Sequence, residues 1–358
     1  MGGATARALA REQILRLCGS GADARTLRLE ALAVLRRVIG FDAYVWLITD
    51  PETSVGSAPL ADVPCLPELP RLIRLKYLTT VNRWTAMITP VASLHQTTGG
   101  DLGRSLIWRD LLSRYQVTDV ATSVHRDRFG CWAFLDLWRT RDAAPFGSEE
   151  LEFLHGIAGP LTTALRHSQA AAFAAAGDGA QPAAGPVVLL LSPALEVRAQ
   201  TPQTQHYLRL LVPPDAAAQA PVPAGAYNVS AQLIAGEAGV DSNPPTARVH
   251  LGSGQWLTLR AARLDSDQPL ADRDIAVSIE PTAPGGRVTL FARACGLSAR
   301  EAELLGHVAA GAATREIAGL MFVSEHTVQA HLKSIFAKTG TRTRRTLLAC
   351  VLGGTIAT

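Results

Sequence analysis

Residues Val323–Gly340 read VSEHTVQAHLKSIFAKTG, and the use of this stretch decides the architecture of the chain's last fifth. Three uses compete: a helix that reads DNA, a histidine pair that holds a metal, and an ordinary amphipathic helix. Ser324 is suited to cap a helix, because its hydroxyl accepts a backbone N–H left unpaired at a helix start. Gly340 is suited to end it, because glycine takes a left-handed backbone without penalty. At about 100° per residue, Val328, Leu332, Ile335 and Phe336 fall on one face and must pack inward. His326, Gln329, Ala330, Lys333 and Ala337 fall on the other. That outer face holds one cation, one amide, one imidazole and two very small residues. Small side chains let a backbone approach a groove closely, an Ala methyl can meet a thymine methyl, and Gln can bond adenine bidentately. A helix of about 13 residues is roughly 20 Å long, which suits a major groove. His326 and His331 are five apart, not three or four, and no third ligand is evident, so a metal site is not expected. His331 lies near the edge of the core face, where packing is its natural role. His326 faces outward, with DNA contact and plain exposure both open.

Working outward, Ser298 and Glu301 form the pattern of a capping box. The first helix should then run to Ala310 and stop at Gly311. Thr314 is expected to cap a short second helix, Arg315 to Met321, with Ile317, Ala318 and Met321 inward. Phe322 and Val323 make the turn. Thr343 caps a fourth helix, Arg344 to Leu352, with Leu347, Leu348 and Val351 on one stripe. Two short helices, a tight turn and a longer amphipathic helix make a helix-turn-helix.

Charge singles out the same region. The chain has 358 residues, 47% hydrophobic and 18% charged, with a net charge of +3. From Ala292 onward there are eight cations and four anions, so residues 1–291 carry a net −1. A positive excess confined to one end is what a region that meets a polyanion requires.

The run LSAREAELLGHVAAGAATREIAGLMFVSEHTVQAHLKSIFAKTGTRTRRTLL resembles the DNA-binding domain of the LuxR family of bacterial regulators. The marks are Leu297-Ser298, Arg300-Glu301, Gly311, Glu316-Ile317-Ala318, Val323-Ser324, Thr327-Val328, His331, Lys338 and Arg342. The resemblance implies that the third helix enters the major groove and that the fourth forms a dimer contact. It places Gln329, Ala330 and Lys333 at base-facing positions. Thr314, Arg315, Ser324, Thr327 and Lys338 fall at or near positions that contact the DNA backbone. Arg342 and Arg344, in the basic cluster at the start of the fourth helix, are expected on phosphates. Leu347, Leu348 and Val351 would serve the dimer. Gln329 departs from the family, which usually has Lys there, so the operator sequence does not carry over.

The remainder reads as a multidomain α+β chain. Helices are expected over 5–18 and Ala24–Ile39, and FDAYVWLITD makes a strand closed by Asp50-Pro51. Thr53–Pro70 is polar and Pro-rich. Cys131–Thr140 is a strong strand. A long helix starts at Ser148, and Pro160 should kink it. Gly177–Pro186 has no pattern worth burying and reads as linker. Beyond it come two short strands, a helix over Ala224–Glu237, a hairpin about Gly252-Ser253-Gly254 and a last strand, DIAVSIEP. The order of elements resembles a GAF-type sensor followed by a PAS-like one, folds that often enclose a small ligand. The expected division is an N-terminal helix over 1–19, a GAF-like domain over 20–170 and a linker over 171–186. A PAS-like domain over 187–283, a linker over 284–294 and a four-helix LuxR-type domain over 295–358 follow.

No catalytic signature is present. Asp50 lacks the acidic pair and distant Lys of a phospho-accepting receiver and is expected to form an Asp-Pro turn. Thr97–Ser105 is glycine-rich without the Gly-Lys-Ser/Thr of a phosphate loop. The five cysteines are scattered without a Cys-x-x-Cys pair, which argues against a zinc ribbon and a secreted disulfide scaffold. Trp46, Trp132 and Trp138, on the two best strands, are expected in the core, with a ligand pocket as the alternative. No cofactor, metal or membrane span is expected, and the chain reads as cytoplasmic. The leading expectation is a DNA-binding transcriptional regulator, acting on double-stranded DNA as a homodimer, controlled by a signal received in its sensor modules through binding of an unidentified small molecule or of a partner. The alternative is a ligand-binding or protein-interaction regulator whose helix-turn-helix serves dimerisation.

Overall fold

The computed structural model describes residues 3–174, 185–210, 223–251 and 255–353. Two helices come first, α1 (Gly3–Gly19) and α2 (Ala24–Val38). Asp23 starts α2, its carboxylate accepting from Arg25 N and Thr26 N, and Leu27, Ala31, Val34 and Leu35 form its buried face. Strands β1 (Ala43–Thr49) and β2 (Gly56–Asp62) follow, then α3 (Leu69–Leu78), β3 (Val91–Ser93), and the short helices α4 (Leu94–Thr98) and α5 (Leu106–Asp110). Next are β4 (Val117–Asp127), β5 (Gly130–Thr140) and the long α6 (Ser148–Ala174). Pro160 lies inside α6 without ending it.

These five strands make one antiparallel sheet in the order β2-β1-β5-β4-β3. The polar, Pro-rich stretch Thr53–Pro70 therefore contains a strand. β2 holds Pro59, which lacks an N–H, and sits at the sheet edge, where a missing donor is tolerated. Alternation along the strands sorts the side chains onto two faces. Register places Val45 opposite Asp136 and Asp136 opposite Thr122, so these share one face with Leu47, Val120 and Trp138. Trp46, Leu135 and Leu137 are on the other. There Trp46 stacks on His125, with ring centroids 5.7 Å apart. Burial pushes the His125 pKa down to about 4, so the ring is neutral near neutral pH.

A second sheet has the order β7-β6-β10-β9-β8. Its strands are β6 (Val188–Leu191), β7 (Val197–Gln200), β8 (Thr246–His250), β9 (Trp256–Arg263) and β10 (Ile275–Pro281). Helices α7 (Pro202–Leu210) and α8 (Ala224–Glu237) lie between β7 and β8 in the chain. The expected turn residues Gly252-Ser253-Gly254, and most of the expected 171–186 linker, lie outside the described residues.

The chain falls into two compact units. One comprises residues 1–165, 183–249 and 258–280, and the other residues 166–182, 250–257 and 281–358. Most of both sheets thus belongs to a single unit. Within it, Asp50 is fully buried and does more than shape an Asp-Pro turn. Its Oδ1 accepts from Glu52 N at 2.9 Å and from Arg248 Nη2 at 2.7 Å, while Oδ2 accepts from Arg248 Nε at 2.7 Å and Arg248 N at 2.9 Å. This two-pronged pair ties the end of β1 to β8.

The second unit is mainly helical: α9 (Pro284–Ala294), α10 (Ala299–Ala309), α11 (Thr314–Leu320), α12 (Glu325–Thr339) and α13 (Arg344–Leu352). The expected linker over 284–294 is helix α9. Pro284 stands in its first turn, where its missing N–H costs nothing. Leu290, Phe291 and Ala292 are buried in the unit's core, so packing overrides the weak helix propensity of Gly285 and Gly286.

Candidate nucleic-acid interface

The N-terminus of α10 is built as its sequence predicts. The Ser298 hydroxyl accepts from Glu301 N, and Glu301 accepts from Ser298 N at 2.6 Å. The same carboxylate has a further role. Its Oε2 also accepts from Lys338 Nζ at 2.6 Å, and its Oε1 from Ser334 Oγ at 2.6 Å. Glu301 is 4% exposed, so its charge is neutralised inside the unit by groups on α12. Burial alone would raise its pKa. The donors from Lys338, Ser334 and Ser298 outweigh that and hold it at about 2. Lys338, expected on the DNA backbone, is exposed and donates to Glu301, which anchors α12 to α10.

The short second helix also differs in detail. Thr314 was expected as its cap, but α11 begins at Thr314 itself, with Ala313 as a cap that offers no side-chain oxygen. The Thr314 hydroxyl instead accepts from Arg344 Nη2 at 2.9 Å and from Gln329 Nε2 at 3.4 Å. It thus joins α11 to α13 and α12. Arg344, expected on phosphate, uses part of its guanidinium in that bond and is half-buried. Met321 closes α11 from the core side, Phe322 turns the chain at φ 54°, and Val323 packs against the core.

Helix α12 has the predicted start and end. Ser324 Oγ accepts from Thr327 N at 3.1 Å, and Gly340 is left-handed at φ 69°. Val328, Leu332 and Ile335 are buried, with Phe336 packed against them. His326, Gln329, Ala330, Lys333 and Ala337 are exposed together, and His331 is half-buried between the two faces. Arg315, Lys333 and Arg342 are exposed and have no hydrogen bond or ion pair to other described residues. Their charges remain available to an external anion. Ser324 and Thr327 are occupied with one another at the helix start, their hydroxyls 2.9 Å apart.

Helix α13 turns most of its apolar stripe inward. Leu347 and Val351 are 0% exposed and Leu348 packs beside them, all within the core shared with α9 and α10. Of the three residues expected at a dimer contact, Leu347 and Val351 are covered by the unit's own helices and Leu348 is half-buried. Sequence reasoning could not foresee this, because α9, which covers them, looked like linker. Arg287 of α9 also donates to the Val351 carbonyl at 2.8 Å.

Comparison with protein families agrees with this geometry. Residues 296–351 match the family described as bacterial regulatory proteins, luxR family. The helix-turn-helix is thus a LuxR-family domain, and α10–α13 lie almost wholly within it. No curated protein matches the chain. Among the described residues, no helix is long and apolar enough to cross a membrane, and no cluster of His, Cys, Asp and Glu is arranged to hold a metal ion.

Proposed function

We propose that this chain regulates transcription by placing α12 in the major groove of DNA, under control of a signal received in its sheet-containing unit. The observation that carries the first half is the composition of the outer face of α12. Gln329, Ala330 and Lys333 stand exposed together on a helix fixed by buried neighbours, inside a LuxR-family domain. Gln329 and Lys333 supply the donors, and the alanine keeps the backbone close to the base edges. Arg315 and Arg342 supply phosphate contacts, which dominate affinity and make it salt-dependent. His326 and Thr327 border this face. Lys338 and Arg344 act through the structure, by holding α12 and α11 in place. In a homodimer, α13 would present residues other than Leu347 and Val351. The two sheets serve as the GAF-like and PAS-like sensor parts.

Duplexes recovered from a random-sequence pool by the full-length protein supply the test. Lys333→Ala should weaken retention of a selected duplex and lower the slope of log affinity against log salt by about one. Equal affinity for variant and parent at every salt concentration would refute the interface. Recovery of no duplex by a protein that still forms dimers would favour an interaction module instead.

A further inference from the structure

A cavity of about 280 Å³ lies on one face of the first sheet. It is roughly twice the size of the ~150 Å³ apolar space that accepts a benzene ring, so it suits a molecule of one or two rings or an equivalent chain. Most of its wall is apolar, from β1, α3, β4 and β5. One patch is not. There Lys76 and Asp136 form a buried pair at 2.9 Å. Asp136 is fully engaged: Oδ1 accepts from Trp84 Nε1 at 3.1 Å and Thr122 Oγ1 at 2.7 Å, and Oδ2 accepts from Lys76. Lys76 is not. It carries three donors, one goes to Asp136, and its ammonium lies 4.6 Å from the centre of the Trp84 ring. Among the described residues no acceptor takes the others. Asn82, also in the wall, has an unpartnered, fully buried Nδ2. The unmet capacity beside Lys76 and Asn82 is therefore for an acceptor, while on the α8 side the unpartnered Asn228 Oδ1 leaves room for one donor.

The fourth wall is the second observation. Pro223, Ala224, Gly225 and Asn228 line the same cavity; they are the start of α8 and the residue before it, and α8 lies between strands of the second sheet in the chain. α8 packs on α3 and β2. The approach is close: a Cβ on Gly56 of β2 would lie 3.1 Å from Asn228 Oδ1 and 2.8 Å from Leu47 Cδ1. The site in the first sheet is thus incomplete without an element of the second, and Asp50–Arg248 ties the two sheets nearby in the same unit.

We propose that this composite cavity binds a neutral, largely apolar small molecule with a carbonyl-type acceptor, and that α8 closes over it. The acceptor meets Lys76 and Asn82, and the apolar body meets the aliphatic wall. The molecule is neutral because Lys76 and Asp136 already balance. A carboxylate would add an uncompensated charge beside Asp136, and a cation would add one beside Lys76, each costly in a buried site. Occupancy would then be felt directly by α8, which gives the second sheet a part in sensing. This deepens the sensor half of the proposed function and rests on it.

The neutral ketone dye Prodan, a two-ring molecule with one carbonyl, is the probe. Added to the full-length protein, its emission should shift to the blue with one-to-one stoichiometry. Acetonaphthone should displace it, and naphthoate, of similar size but anionic, should not. Prodan should also slow amide hydrogen exchange in residues 224–237 of the unsubstituted protein. Ala224→Phe, which fills the cavity from α8, should weaken Prodan at least about tenfold. No blue shift overturns the cavity, equal displacement by naphthoate overturns the neutral acceptor, and unchanged exchange in α8 overturns the composite wall. Duplex retention measured on the same samples keeps the two proposals apart. DNA binding without Prodan binding refutes only the cavity, and Prodan binding without DNA binding refutes only the interface.

Discussion

Two buried carboxylates organise two different regions of this molecule in the same way. Glu301, in the helical unit, accepts from a backbone N–H, a serine hydroxyl and a lysine ammonium. Asp136, in the first sheet, accepts from an indole N–H, a threonine hydroxyl and a lysine ammonium. Each is nearly inaccessible, and each is satisfied by three donors, as a buried charge must be. They differ in how the sequence announces them. Glu301 stands three residues from Ser298, inside a local capping pattern. Asp136 reaches 52 residues back to Trp84 and 14 back to Thr122. Local chemistry can be seen in a sequence, whereas chemistry assembled by a sheet cannot.

The largest expected effect falls on the non-local site. Asp136→Ala strands the Lys76 ammonium in an apolar wall and should lower stability by about 3–5 kcal/mol. The urea midpoint of the full-length protein reads this out. Replacing both partners, Lys76→Met with Asp136→Leu, should recover most of the loss, since a matched apolar pair leaves no charge unpaired. If the double variant is no more stable than Asp136→Ala alone, the cost lies in Trp84 and Thr122 rather than in the ion pair.

Glu301 should show a smaller effect with a defined pH dependence. Its folded pKa, about 2, lies below its ordinary value of 4.5. The carboxylate's contribution is therefore fully present above pH 4.5 and is lost as pH falls through the folded value. The loss is at most about 3 kcal/mol. Glu301→Gln should remove that slope and lower stability at neutral pH. A variant as acid-sensitive as its parent across this window would assign the sensitivity to another carboxylate.

This contrast explains what the sequence reveals of the fold. Helices α10, α12 and α13 were legible because Ser298, Ser324, Thr343, Gly311 and Gly340 mark their ends within a few residues. α2 and α8 were legible from periodicity and composition. β2 was not, because Gly56 and Pro59 read as loop, and only its edge position makes them acceptable. α9 was not, because Pro284-Gly285-Gly286 reads as a break, and only burial of Leu290 and Phe291 makes it helix. The outer face of α12 was legible as a set, since exposure there follows from which residues must be buried. The fates of Lys338, Arg344, Leu347 and Val351 were not, since each depends on a partner thirty or more residues away in sequence or on the unrecognised α9. The cavity was least legible. Of the three tryptophans singled out, only Trp138 lines it, and its polar patch is built from Lys76, Trp84, Thr122 and Asp136, none of which carries a motif.

A cap is the smallest local device. Ser324→Ala should cost about 1 kcal/mol, through loss of the acceptor for Thr327 N. Thermal unfolding can detect this. A loss as large as that of Asp136→Ala would mean that the start of α12 holds more of the unit together than one hydrogen bond.

The smallest expected change in stability separates two lysines on one helix. Lys338 is one of the three donors to a buried carboxylate, so Lys338→Ala should destabilise the protein measurably and shift the acid transition of Glu301 upward. Lys333, five residues earlier, is exposed and has no partner among the described residues. Lys333→Ala should change stability by no more than about 0.5 kcal/mol, while it weakens the hold on DNA. The two alanine variants therefore exchange their phenotypes: one loses fold stability first, the other loses affinity first. Should Lys333→Ala unfold as readily as Lys338→Ala, its charge would be engaged within the molecule, and the outer face of α12 would no longer be the surface left over for DNA.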